Sequence, residues 1–203
     1  MSTIFRQQIM RLHTLSLCNW CTALLVLLLH VPMMMEDAMA KTPATAFDFS
    51  FEAIEGGEIA LDTWRGKVLL VVNTASRCGF TNQYDALQQL WKRYADKGLV
   101  VIGVPSNDFG NQEPGSNAEI KDFCSVSFGV DFPLAARTRV RGAEAHPFYR
   151  WAAAEAGMLG KPKWNFHKYL FGRDGQLIDW YGSTTSPLSD KLVATITAAL
   201  DQD

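Results

Sequence analysis

Cys78 is the side chain with the most chemistry open to it. It follows the apolar run Val68-Leu69-Leu70-Val71-Val72, which reads as a buried strand, and precedes Thr81 to Lys97, which reads as a helix. In an open α/β sheet, the strand-to-helix handover is the edge where chemistry is usually placed. Unpaired N–H groups and the positive end of the helix dipole favour an anion there. Arg77, next door, adds charge of the same sign. The expected form of Cys78 is therefore partly thiolate, the nucleophilic state of sulfur.

The chain has 203 residues and four cysteines: Cys18, Cys21, Cys78 and Cys124. The first two lie in a leader. Arg6 and Arg11 precede the apolar stretch Ala23 to Leu29, and Ala38-Met39-Ala40 fits a small-x-small cleavage site. Residues 1–40 are thus expected to be a signal peptide cleaved after Ala40, leaving residues 41–203 as an exported, periplasmic or secreted domain. The competing expectation is a membrane anchor formed by Leu15 to Met35. Asn19, His30 and Pro32 dilute that run. Cys18-Asn19-Trp20-Cys21 spells the C-x-x-C of dithiol oxidoreductases but falls inside the export signal, so it carries no functional expectation. Two mature cysteines remain, Cys78 and Cys124. In an exported protein they read either as a structural bridge or as a bridge that forms and breaks during turnover.

Composition is that of an ordinary globular protein, 48% apolar and 20% charged with net charge −2. That balance gives no reason to expect nucleic acid as a partner. His146 and His167 have no acidic or thiol partners at ligand spacing. They read as surface or structural residues, with no metal or other cofactor expected.

The elements that must hold Cys78 can be read in order. Phe47 to Trp64 alternates around Gly56-Gly57, a hairpin. Val68 to Asn73 is the first core strand. The helix after Cys78 puts Tyr84, Leu87, Leu90, Trp91 and Tyr94 on one face, and Gly98 caps it. Leu99 to Pro105 is a second buried strand, Ser106 to Gly115 an irregular loop, and Asn117 to Phe128 a helix. Phe132 to Ala136 is a further strand. Pro147 to Ala156 is a helix, Asn165 to Phe171 and Gln176 to Tyr181 pair around Asp174-Gly175, and Leu188 to Leu200 closes the chain. Strands alternating with helices argue an α/β fold: a central mixed sheet with helices on both faces and an N-terminal hairpin. Ending on a hairpin and a helix is the thioredoxin-like arrangement.

Three motifs then carry a resemblance. They are N-T-A-S-R-C-G-F-T around Cys78, N-D-F-G-N-Q-E-P-G from Asn107 to Gly115, and W-N-F-H-K-Y-L from Trp164 to Leu170. From Phe47 to about Leu200 the chain resembles the glutathione peroxidase family, with cysteine where many animal members have selenocysteine. The resemblance implies reduction of hydrogen peroxide or organic and lipid hydroperoxides, and catalytic roles for Cys78, Gln112, Trp164 and Asn165. That assignment makes chemical sense. A thiolate must attack one peroxide oxygen, and the indole N–H and two carboxamides are neutral donors able to hold negative charge on sulfur or on the departing oxygen. Cys124, in D-F-C-S-V-S-F-G, resembles the resolving cysteine of thioredoxin-dependent members. It would turn the Cys78 sulfenic acid into a disulfide for thioredoxin or glutathione to reduce. Because disulfide geometry needs close Cα atoms, helix 117–128 is expected to unwind in each cycle. Asp108 stands where the family usually has Gln. The segment from Phe132 to Trp164 lacks the insertion through which tetrameric members associate, so a monomer with an open cleft is expected. A thiol–disulfide oxidoreductase, or a non-enzymatic exported module with a structural disulfide, is the alternative function.

Overall fold

The structure, a computed structural model, describes residues 45–202; the expected signal peptide, with Cys18, Cys21 and the expected cleavage site, lies outside the described residues. The N-terminal hairpin is β1 (Ser50–Glu52) and β2 (Glu58–Ala60), antiparallel with Phe51 opposite Ile59. Gly56 and Gly57 turn it at φ +90° and +85°. Side chains with a Cβ rarely adopt such angles, which is why a Gly-Gly pair marks the turn.

β3 (Val68–Thr74) and β4 (Leu99–Pro105) are parallel, joined through α1 (Gln83–Tyr94) and a 3-10 turn, Ala95–Lys97, that ends on Gly98. α2 (Asn117–Phe128) and α3 (Pro147–Glu155) lie in the crossing to β5 (Lys168–Phe171), which pairs antiparallel with β3. β6 (Leu177–Tyr181) pairs antiparallel with β5, and α4 (Asp190–Leu200) follows. The strand order is β4-β3-β5-β6.

Every residue of β3 and β4 is buried. That is the meaning of their unbroken apolar runs: both faces are covered. Alternation along β3 divides two cores. Val68, Leu70 and Val72 pack with Tyr84, Leu87 and Leu90 of α1, Cys124 of α2 and Leu192 and Ile196 of α4. Leu69 and Val71 pack with Phe148, Trp151 and Ala152 of α3 and with Phe51 of the hairpin. The expected sheet with helices on both faces is thus present.

Several boundaries differ from the sequence reading, four of them for reasons the structure shows. α1 begins at Gln83 rather than Thr81, because three successive turns intervene: Thr81 N–H bonds to Cys78 O, Gln83 to Phe80 O and Tyr84 to Thr81 O. The strand expected over Phe132 to Ala136 shrinks to two single-residue bridges, Gly103 with Leu134 and Ala53 with Ala135. Pro133 has no N–H to extend a ladder. β5 starts at Lys168, not Asn165, because Phe166 is held at φ +61° and the chain curls before it enters the sheet. α4 starts at Asp190, capped by Ser189 accepting from the Leu192 N–H.

Candidate active site

Cys78 lies in the turn between β3 and α1 and is 5% exposed. Its sulfur accepts a hydrogen bond from the Phe80 N–H at 3.4 Å. The donor at the sulfur is therefore a backbone amide of the turn, and the first residue of α1 proper lies five positions further on. The helix-dipole expectation is replaced by a local one: a tight turn that curls an N–H back onto the side chain two residues earlier.

The loop after β4 is stitched to this turn at two points. Arg77 N–H donates to the Gln112 carbonyl at 3.0 Å, and Ser76 N–H to Glu113 Oε2 at 2.9 Å. Asn107 Oδ1 in turn accepts from the Glu113 N–H at 2.9 Å. Glu113 is almost fully buried, and burial pushes its carboxyl above the usual carboxylate range despite the opposing pull of the Ser76 hydrogen bonds and of Arg137 and Arg77.

The loop before β5 is stitched to the end of β3 by one residue. Asn73 Nδ2 donates to the Trp164 carbonyl at 3.1 Å, its Oδ1 accepts from the His167 N–H at 3.1 Å, and its backbone carbonyl accepts from the Phe166 N–H at 2.6 Å. Asn73 thus satisfies backbone groups that no ladder reaches. Asn165 is fully buried and its Nδ2 donates to Gln112 Oε1 at 2.9 Å. The Trp164 ring passes over Gly110, where an added Cβ would meet it at 3.3 Å, and sits 6.1 Å from the Phe109 ring. Gln112, Trp164 and Asn165 are in this way knit to one another and to the Cys78 turn. None of the three side chains hydrogen-bonds the sulfur itself. Among the described residues that bond comes from Phe80 alone.

Residues 46–153 match the family model described as glutathione peroxidase. The chain belongs to the glutathione peroxidase family. It is 44% identical over 165 residues to the hydroperoxy fatty acid reductase gpx1 of Synechocystis, covering 77% of this chain and 96% of that one. It is 43% identical over 143 residues to the glutathione peroxidase-like peroxiredoxin gpx1 of Schizosaccharomyces pombe, covering 70% and 90%. The crystal structure of Trgpx in apo form superposes with a TM-score of 0.64 at 37% identity, covering 79% of this chain and 98% of that chain. The protein is a glutathione peroxidase-like thiol peroxidase that reduces hydroperoxides.

Other parts of the glutathione peroxidase scaffold explain themselves. Cys124 is a free thiol on α2, fully buried, and burial pushes it up to about 11. The neighbouring Tyr84 hydroxyl opposes that shift and the Glu113 carboxylate adds to it. Lys168 is fully buried; its Nζ donates to Gln83 Oε1 and to the Phe166 carbonyl, both at 2.7 Å, and burial lowers it to about 7. It ties the first residue of α1 to the loop that carries Trp164. Asp108, the departure from the family pattern, accepts from the N–H groups of Val140 and Arg141 at 2.6 and 3.1 Å and so anchors a loop. His146 caps α3 by accepting from the Phe148 N–H and stacks on Phe51. His167 is buried against the Trp180 ring and lowered to about 4 by that burial. Both histidines are structural. No group of three or more His, Cys, Asp or Glu placed to hold a metal occurs among the described residues.

Asn73, Glu113 and Lys168 are the supporting residues that motif reading passed over. Each stood inside a quoted motif, but the signal that separates a loop clamp from an ordinary polar residue is the bond it makes across the fold.

Proposed function

We propose that Cys78 attacks the hydroperoxide, with Gln112, Trp164 and Asn165 as the neutral donors of the reaction. The thiolate sulfur bonds to one oxygen, the O–O bond breaks, and the other oxygen leaves with a proton as water or alcohol. Cys78 becomes a sulfenic acid. The observation that carries this reading is the Asn165–Gln112 amide pair bonded onto the turn that holds Cys78. Such preorganised donors hold charge that develops during reaction without reorganising.

Cys124 is the proposed resolving thiol. A fully buried thiol pushed up to about 11 does not attack while α2 is closed, which supports a cycle in which α2 opens. The helix favours this. Only Ile120 and Cys124 are buried along it, and its last turn holds Ser125, Val126 and Ser127. The Ser125 hydroxyl bonds back to the Lys121 and Asp122 carbonyls, competing with the ladder. Thioredoxin or glutathione would then reduce the Cys78–Cys124 disulfide.

Stopped-flow consumption of peroxide, with thioredoxin and glutathione compared side by side, tests the scheme. Cys78→Ser should abolish reduction. Cys124→Ser should complete one round and then stall with thioredoxin; normal thioredoxin-driven turnover would remove Cys124 from the cycle.

The half-exposed Trp164 and the short 132–164 segment support bulky organic peroxides as substrates. The fatty acid hydroperoxides named for the Synechocystis relative are the proposed case. Export with cleavage after Ala40 and a monomeric state are further parts of the proposal, checked by the mass of the exported protein and by sedimentation.

A further inference from the structure

A second pocket, outside the peroxidase machinery, lies between α3 and the loops before and after it. Arg141, Arg150 and Lys161 stand round it and no acidic residue lines it. None of the three has an ion-pair partner among the described residues. Arg150 donates to the Ala143 and Ala145 carbonyls at 3.4 and 2.9 Å, which holds its guanidinium against the pocket wall. The rest of the lining is apolar: Val140, Ala145, Ala153 and Pro162. The wall also includes the ring of Tyr149, which is 1% exposed. The volume is about 370 Å³. Cations left unpaired round an apolar floor suit an anionic head on an apolar tail.

Lys161 and Pro162, in its lining, place the pocket beside the loop that carries Trp164. The Arg141 guanidinium lies 5.4 Å from the Phe109 ring, and that ring lies 6.1 Å from Trp164. Pro162 is two residues before Trp164 in the chain.

We propose that this pocket binds the carboxylate end of a fatty acid hydroperoxide while the peroxide group lies at Cys78. The inference rests on Cys78 being the peroxide-reducing residue, and adds a site that selects the free acid over its esters. Arg141 and Lys161 hold the carboxylate, and the first methylenes cover the apolar floor.

The test compares kcat/KM for a long-chain fatty acid hydroperoxide and for its methyl ester, both below their critical micelle concentrations. Acid and ester share tail and peroxide, so their ratio isolates the carboxylate. The wild-type ratio should exceed one, and Lys161→Gln and Arg141→Gln should each lower it about tenfold, the loss of one charge-assisted hydrogen bond. Equal use of acid and ester by the wild type overturns the proposal, as does a ratio unmoved by both substitutions. A second readout is independent of turnover: calorimetric binding of laurate to reduced Cys78→Ser protein should weaken by a similar factor in Lys161→Gln. Lys161 makes no ion pair among the described residues, so thermal stability should not fall; unchanged laurate affinity would remove Lys161 from the site. Wild-type protein inert even to hydrogen peroxide would mark failure of the peroxidase reading instead, with laurate binding still deciding whether the pocket takes a carboxylate.

Discussion

Asn165 and Glu113 do different work within one small volume. Asn165 is buried and bonded to Gln112, so its amide cannot be lost without leaving Gln112 Oε1 unpaired. Asn165→Ala should lower the second-order rate of peroxide reduction by about a hundredfold, the usual effect of removing one preorganised donor, measured by stopped flow with the fold checked by circular dichroism. Glu113 is a matter of stability. Its folded-state carboxyl is raised by burial, so its protonated form is favoured in the fold and the stability it lends is present at acid pH and lost as pH rises. Glu113→Gln keeps an acceptor for the Ser76 N–H and removes the buried charge. It should leave stability at pH 7 equal or higher, and flatten the decline on rising from acid pH. Glu113→Ala strands that N–H and should cost about 1–3 kcal/mol, read from chemical denaturation. The identities of Cys78, Gln112, Trp164 and Asn165 were legible in the motifs. The bonds of Asn73 and Glu113 were not, since a side chain that satisfies remote backbone looks like any loop asparagine or glutamate until the chain is folded.

At the scale of elements, α2 carries Cys124, the thiol proposed to resolve Cys78. Its ends are well fastened: Ser116 and Glu119 form a capping box and Gly129 ends it in the left-handed region. Its middle is thinly attached. The Cys124 thiol is raised in the fold from an ordinary 9.0 to about 11. A raised folded value means the stability it lends is complete below about pH 9 and drains away as pH climbs through about 11. The stability of the wild type relative to Cys124→Ser should therefore shrink between those two values, measured by denaturant titration. A constant difference would show that burial of this thiol does not contribute. The helix was read close to its observed bounds, and the structure shows why it stops there: Ser116 caps one end and Gly129 the other. The strand from Phe132 to Ala136 was not: its apolar content fits a strand, but Pro133 reduces it to bridges, and the two neighbours it bridges are remote in sequence.

At the scale of the whole molecule, β3 explains why one motif could point to three loops. It is paired on both sides, to β4 and β5, and its C-terminal end meets the loops that follow β4 and precede β5. The central position was implied by the apolar run Val68 to Val72. The order of the flanking strands was not, because antiparallel pairing of β5 depends on where Asn73 holds the 164–167 loop.

The strand order leaves β6 at an open margin, with Ile178 40% exposed. Exposed strand margins invite a second chain to add its own strand. Asp179 stands guard: its carboxylate accepts the Trp180 N–H at 2.7 Å and pairs with Lys191 at 3.5 Å, putting charge where an incoming backbone would dock. Asp179→Ala should leave the protein folded yet hasten clouding on heating, followed by light scattering. One carboxylate at the sheet margin would then decide whether heat-damaged copies stay dispersed or clump.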